Sequence, residues 1–295
     1  MLIIKGNTGL GLEAIKALYG SSNSYEIVIG CRTVSKGEAA ADSVKKEITK
    51  SSSNISVVQI DLASDKSIEA ALKQIESKHS RLDVLLNNGG ANFDVDIQSG
   101  KLSVREGFNA SWDTNVAGTQ VLTTGAIPLL LKSSDPRLMF VTSGTSTMAE
   151  TERYDNEVFR RINGFPEAGW PKQTTNNPIT AYRSSKAGLN MLMREWHRIL
   201  GNDGVKVWCI SPGFLATGLA GIGTEQLKKV KALALSPELI LIVADGCTGS
   251  FRWWSLHQRC HRRPARWRRW QGHTKGHDSA LVRITVEVMK SAKRA

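Results

Sequence analysis

The sequence predicts an α/β protein: a doubly wound parallel sheet in a single domain, followed by an irregular basic tail. Two observations carry that expectation. Short apolar runs alternate with amphipathic ones from residue 2 to residue 210, the pattern of strands joined by crossover helices. The first strand runs into a glycine-rich turn, Gly6-Asn7-Thr8-Gly9-Leu10-Gly11, and out of it into a helix. The body has no internal repeat and no low-complexity linker, so it reads as one domain over residues 1–238.

In order, Leu2–Ile4 is expected as a strand and Leu10–Tyr19 as a helix. The glycines between them let the backbone turn tightly and approach a pyrophosphate, and the helix N-terminus offers amides and a positive dipole end. A strand at Glu26–Cys31 ends in Cys31-Arg32-Thr33. Dinucleotide folds that bind NAD usually place an acid about 20 residues past the glycines. Here Arg32 lies 21 residues past Gly11 with no acid near it. An arginine there, with Lys36, suits a 2′-phosphate; otherwise it is a solvated surface group.

Ser35–Lys50 reads as a helix, Ile55–Ile60 as a strand and Asp65–Lys78 as a helix. Asp61 after the third strand either accepts from an adenine amine or caps the next helix. Leu82–Leu86 reads as a strand closed by Asn87-Asn88-Gly89-Gly90, whose small residues keep a crevice floor open and whose asparagines can pin neighbouring strands. A longer helix is expected within roughly 104–131. Asn115 lies inside it, and asparagine is a middling-to-poor helix former. A local kink freeing a carbonyl for water would explain it; so would a plain solvent-facing asparagine.

Arg137–Thr142 reads as a strand that delivers Ser143 at the carboxyl end of the sheet, where ligands bind in such folds. Residues 144–178 form a long polar insertion with Gly164, Pro166, Gly169 and Pro171, either a functional lid or a surface excursion. Ala181–Leu200 reads as a helix and Val205–Ile210 as a strand, followed by Ser211-Pro212-Gly213-Phe214-Leu215-Ala216-Thr217, a stretch that could cradle a carboxamide. Beyond it, to about Leu235, the chain has the look of a mobile helical flap.

The helix at Ala181 puts Tyr182 and Lys186 four residues apart on one face. A free tyrosine has a pKa of about 10 and is a poor acid-base group at neutral pH. An adjacent ammonium favours the phenolate, so the pair predicts a lowered phenol pKa.

The composition is that of a globular protein, with no run approaching the length of a membrane span. The start, Met1 to Gly6, is too short for a signal peptide before the glycine turn begins. Four scattered cysteines, Cys31, Cys209, Cys247 and Cys260, fit a reducing, cytoplasmic compartment. The formal net charge is +12, but residues 251–295 hold 12 Lys and Arg against 2 Asp and Glu, so +10 of it lies in the tail.

Together these elements resemble the short-chain dehydrogenase/reductase family over roughly residues 1–236. The motifs, in the family's order, are Gly6 to Gly11, Asp61, Asn87-Asn88-Gly89-Gly90, Asn115, Ser143, Tyr182-x-x-x-Lys186 and Pro212-Gly213 with Thr217. The resemblance implies a Rossmann fold and a nicotinamide cofactor, NADP(H) rather than NAD. It implies cofactor contacts from Gly6, Asn7, Thr8, Gly9, Leu10, Gly11, Arg32, Lys36, Asp61, Leu62, Asn88, Gly89, Lys186, Pro212, Gly213 and Thr217. It implies a tetrad for exchange between a small-molecule carbonyl and its alcohol. Tyr182 is the general acid-base, Lys186 lowers its pKa and holds the nicotinamide ribose, Ser143 binds the substrate oxygen, and Asn115 holds a relay water. The arginine at position 32 and the long insertion look more like carbonyl reductases and retinol-dehydrogenase-like members.

The chain departs from the family twice. Ile4-Lys5 stands where the family has Thr-Gly; either Lys5 replaces the first glycine, or the turn starts one residue later at Gly6. After about Glu238 the family continues with a helix, a last strand and an apolar end. This chain instead gives Phe251-Arg252-Trp253-Trp254 and Arg262-Arg263-Pro264-Ala265-Arg266-Trp267-Arg268-Arg269-Trp270. Dense Trp and Arg is what glycine-rich coding sequence yields out of frame, so residues 239–295 are expected to be a frameshift or retained-intron product, or a disordered tail. Nucleic-acid binding by the tail and a zinc site at Cys247, Cys260, His273 and His277 are the weaker readings. Family members are often dimers or tetramers, so a homo-oligomer is expected, although a missing last helix and strand would spoil the usual interface. The alternative function is a catalytically impaired binding protein that keeps the fold.

Overall fold

In a computed structural model, residues 1–155, 157–172, 179–212, 219, 241–243 and 252–254 are described. Six parallel strands form one sheet in the order β3-β2-β1-β4-β5-β6: β1 (Leu2–Ile4), β2 (Glu26–Cys31), β3 (Asn54–Gln59), β4 (Val84–Asn87), β5 (Arg137–Val141) and β6 (Lys206–Ile210). The strand order reverses between β1 and β4, which pair with Leu2 opposite Leu85 and Ile3 opposite Leu86. A crevice at the carboxyl ends of these strands is where an open α/β sheet binds its ligand.

Burial follows the period of 2 along each strand. Leu2 and Ile4 pack on one face with Val28, Leu85, Leu138, Phe140 and Val207. Ile3 packs on the other with Ile27, Ile29, Leu86, Met139 and Ile210. The first face is covered by α3 (Asp65–His79), α6 (Gly118–Leu130) and α9 (Thr180–Ile199), through Ile68, Ala71, Ile75, Leu122, Ala126, Leu189, Met193 and Trp196. The second is covered by α1 (Gly9–Tyr19) and α2 (Val34–Glu47), through Ile15, Leu18, Ala41 and Val44. With apolar contacts on both faces, the central strands read as continuous hydrophobic runs.

The sequence-based strands and helices stand, with ends moved by a few residues, and three segments differ. The long helix within 104–131 is interrupted: α5 (Val104–Trp112) passes through a π-helical turn, Asp113–Ala117, before α6, and Gly118 N–H donates to the Asp113 carbonyl five residues back. A short helix, α4 (Asp94–Gln98), follows β4. The polar insertion carries α7 (Met148–Thr151) and α8 (Glu157–Asn163) after a 3-10 turn at Gly144–Ser146. Its lack of apolar period hid them, because they are held by polar tethers. The Arg183 guanidinium donates to Thr145 O, Ile162 O and Asn163 Oδ1, and Asn163 Nδ2 donates to Glu150 O and Arg153 O.

In the tail, β7 (Leu241–Val243) pairs antiparallel with β8 (Arg252–Trp254) in a separate two-stranded sheet. The flap to Leu235, the tail's Arg/Trp run and the zinc candidates Cys247, Cys260, His273 and His277 lie outside the described residues, as do Gly213 and Thr217. Cys31 and Cys209 are buried free thiols. Among the described residues, no helix is long and apolar enough to cross a membrane, and no group of side chains could hold a metal ion.

Candidate active site

The site grows from the carboxyl ends of β1, β4 and β5. Lys5 follows β1 with φ 54, in the left-handed region, so the chain begins its turn at Lys5. Of the two alignments left open by the sequence, this one puts Lys5 in the place of the family's first glycine. Gly9 is also left-handed, at φ 56. A Cβ on Gly11 would stand 2.6 Å from Lys5 O and 2.7 Å from Asn88 Nδ2, so α1 approaches the strand ends as closely as backbone allows. Thr8 is the N-cap of α1 but its side chain caps nothing, and the first turn of α1 holds no acid. The leading amides of α1 precede its first helical hydrogen bond, from Leu12 N–H to Thr8 O, and are oriented for an anion.

β4 is tied to β1 at the crevice floor: Asn88 Nδ2 donates to Ile4 O at 3.0 Å and to Lys5 O at 3.3 Å. A Cβ on Gly89 would meet Ile4 and Leu62 side chains at 2.7 Å. The Leu62 carbonyl would be 1.9 Å from a Cβ on Gly118, so this glycine lets α6 lie against the end of β3. Asp61 does not cap α3, whose N-cap is Ser64; its Oδ1 accepts from Ala63 N–H in the turn before that helix. Arg32 and Lys36 are exposed at the end of β2 and in the first turn of α2. Pro212 is buried just past β6.

Asn115 is fully buried in the π turn and not solvent-facing. Its amide clamps the chain after β4, accepting from Ala91 N–H at 2.8 Å and donating to Ala91 O at 3.0 Å. It also donates to Ser185 Oγ at 2.9 Å, on α9 beside Lys186. A Cβ on Gly90 would lie 3.2 Å from Lys186 Nζ and 3.3 Å from Asn115 Oδ1, so both side chains converge on one glycine.

Tyr182 and Lys186 share a face of α9, and Lys186 Nζ lies 5.9 Å from the Tyr182 ring centroid. Lys186 Nζ donates to Val141 O at the end of β5, at 2.9 Å. Ser143, two residues further, faces the Tyr182 phenol, and its hydroxyl favours the ionised form. The structure reverses the expected direction of the phenol's pKa: burial pushes Tyr182 up to about 12, and Ser143 offsets that only in part. Lys186 Nζ, 5.9 Å from the ring centroid, is hydrogen-bonded instead to the Val141 carbonyl. Burial also brings Lys186 down to about 8; Cys209 opposes this and Lys5 adds to it.

Two contributors were not legible in the sequence. Asp94, buried in α4, accepts from Ala181 N–H at 2.9 Å and from Tyr182 N–H at 2.8 Å. It caps α9 from 87 residues away, in place of the N-cap Ile179, which offers no side-chain bond. No local spacing could reveal it. Lys5 is the other: its Nζ crosses the crevice to donate to Gly90 O at 2.9 Å.

These residues fit a dinucleotide. The glycine turn brings backbone where a side chain would not fit, helix amides face outward, and basic side chains line the crevice. The comparisons agree with the geometry. A family model for short chain dehydrogenases matches residues 1–154 and 172–227. The chain is 44% identical over 221 residues to the short-chain dehydrogenase/reductase eupG of a Phoma species, covering 74% of this chain and 77% of that one. It is 37% identical over 248 residues to the short-chain dehydrogenase/reductase tropE of Talaromyces stipitatus, covering 83% and 90%. Among solved structures, the fold is similar to an RhlG/NADP complex of Pseudomonas aeruginosa (TM-score 0.56, 19% identity, 78% of this chain and 79% of that one). It is also similar to L-sorbose reductase of Gluconobacter frateurii in complex with NADPH and L-sorbose (TM-score 0.55, 19% identity, 79% of each chain).

Proposed function

The chain belongs to the short-chain dehydrogenase/reductase family of oxidoreductases, and from that premise we propose that it is an NADP(H)-dependent enzyme interconverting a carbonyl and an alcohol. The observation that carries this reading is the convergence of Tyr182, Ser143, Lys186 and Asn115 at the ends of β4 and β5. Preference for the 2′-phosphate rests on Arg32 and Lys36 at the end of β2, with no acid between Gly11 and Arg32 closer than Glu26. Solved structures of similar fold include complexes with NADP and with NADPH.

When bound, the nicotinamide supplies or accepts the hydride at the substrate carbon. The chain's own residues handle the oxygen. Ser143 Oγ holds the substrate oxygen by a hydrogen bond, and Tyr182 gives that oxygen its proton in reduction and removes it in oxidation. A phenol kept protonated by burial is suited to the donor role at neutral pH. Lys186 holds the nicotinamide ribose and keeps a positive charge near the phenol. Asn115 holds the loop after β4 in shape by its paired bonds to Ala91 and connects it to α9 through Ser185. On this reading Asp61 and Leu62 would border the adenine end and Pro212, buried just past β6, the carboxamide end.

The rival reading, a fold kept for binding alone, is not favoured, since the matching family model and the similar chains are those of dehydrogenases and reductases. The deciding experiment is NADPH consumption with a panel of ketones and aldehydes, paired with cofactor binding by fluorescence. Tyr182→Phe should bind NADPH as the parent does and turn over roughly 10²–10⁴-fold more slowly. Comparable turnover in that variant would remove Tyr182 from its role, and binding without turnover in the parent would favour the rival.

A further inference from the structure

Lys5 is a basic side chain that spans the crevice at the point where the strand order reverses. It leaves β1, crosses to β4 and donates to Gly90 O at 2.9 Å. Gly90 is also the residue against which Lys186 Nζ packs, so the two ammonium groups flank one glycine. On the other side lies Arg32 at the end of β2, near enough to act on Lys5 electrostatically. The three cations therefore run in a row, Arg32, Lys5, Lys186, over the ends of β2, β1 and β4. Among the described residues none of the three is in an ion pair. The backbone at Lys5 is in the conformation that favours glycine, so a lysine is held there against local preference. The leading amides of α1 open onto the same turn.

Unpaired like charges in a row describe a site for an extended polyanion. Arg32 stands where the 2′-phosphate belongs and Lys186 where the nicotinamide ribose belongs, so the middle cation faces what joins them. We infer that Lys5 binds the diphosphate bridge of the dinucleotide, exchanging its contact with the Gly90 carbonyl for phosphate oxygens. The inference rests on the dinucleotide reading above and adds a contact that a glycine at this position cannot make. In the free protein, burial and the Arg32 charge lower the Lys5 pKa, and a phosphate beside it would reverse that direction.

The diphosphate is common to both nicotinamide dinucleotides, which gives the test its form. Dissociation constants for NADPH and for NADH are measured by fluorescence titration on the parent, Lys5→Gly, Lys5→Met and Arg32→Ala, with a thermal melt of each protein. Lys5→Gly restores the residue the backbone favours and should melt close to the parent; Lys5→Met keeps the strained side chain and removes only the charge. Both should weaken NADPH and NADH alike, by about tenfold, and flatten the salt dependence of binding, whereas Arg32→Ala should weaken NADPH alone. Unchanged or tighter binding in both Lys5 variants overturns the inference, and makes Lys5 a plug that the dinucleotide displaces. A loss confined to NADPH also overturns it, in favour of a 2′-phosphate contact. A parent that binds neither dinucleotide overturns the underlying reading as well, whereas parent binding with indifferent Lys5 variants overturns Lys5 alone.

Discussion

At position 182 two effects oppose each other, and their magnitudes decide the pH behaviour of the enzyme. A neighbouring ammonium lowers a phenol's pKa when its field reaches the oxygen; burial raises it. Sequence spacing gives the neighbour, and Tyr182 and Lys186 do share a helix face. Spacing gives neither the depth of the phenol nor the direction of the ammonium. In the free protein burial wins at both residues, with Tyr182 at about 12 and Lys186 at about 8. On the proposed mechanism, reduction needs a protonated phenol and a charged lysine. As pH rises Lys186 loses its proton first, well before Tyr182. The kcat/KM for carbonyl reduction should therefore be flat through neutrality and fall above about pH 8, a limb that belongs to the lysine. Lys186→Arg, which stays charged, should move that limb to higher pH while lowering the plateau. A limb that stays near pH 8 in the arginine variant would assign it elsewhere. The same reasoning makes alcohol oxidation rise with pH across the assay range, since it needs the phenolate.

Helix α9, which carries the proposed acid-base pair, is held by contacts that sequence proximity cannot predict. Helix α9 presents Tyr182 in its first turn, where backbone amides have no partner of their own. Asp94 supplies both acceptors, one carboxylate oxygen to Ala181 and one to Tyr182. Hydrogen bonds to a buried charge are worth roughly 1.5–3 kcal/mol each, and losing the acceptor leaves the donors stranded. Asp94→Ala should cost about 2–4 kcal/mol in chemical denaturation. It should also lower kcat more than it raises KM for NADPH, because the phenol loses its register while the glycine turn is untouched. Asp94→Asn should recover little, since its amide nitrogen would face one of the two N–H groups. Equal stability in the parent and Asp94→Ala would show that α9 is positioned by its apolar face alone. The strands and main helices were legible because their apolar periods of 2 and 3.6 report the core directly. The π turn was legible only as an asparagine out of place; its cause, the clamp on Ala91 and Ser185, joins segments 24 and 70 residues apart. Helices α7 and α8 were not legible, because Arg183 and Asn163 hold them through carbonyls that carry no sequence signature.

For the whole molecule, the charge distribution and the sheet edge bear on the same question. The body carries little net charge, while the last 45 residues hold +10 of the +12. The family match stops at residue 227, before the tail's Trp/Arg run begins. Among the described residues β6 is the last strand of the main sheet, and β7 and β8 pair with each other, antiparallel, in a sheet of their own. The family's ending, as its resemblance to this chain implies, would instead supply a helix and a further strand to that sheet. Our reading is that the coding sequence departs from the family's frame between residues 239 and 252. Sequencing the transcript across codons 236–256 should reveal an alternative frame that continues with apolar, glycine-containing sequence. A transcript that reads continuously through 239–295, with no better frame, would end this reading. The protein made from the restored frame should have a higher Tm and a lower tendency to aggregate than the present chain, because the family's last helix and strand would join the main sheet and the cationic tail would be gone. Its affinity for NADPH should stay within a few-fold, since the proposed phosphate contacts, the glycine turn, Arg32 and Lys5, lie at the ends of β1 and β2, separated from β6 by β4 and β5.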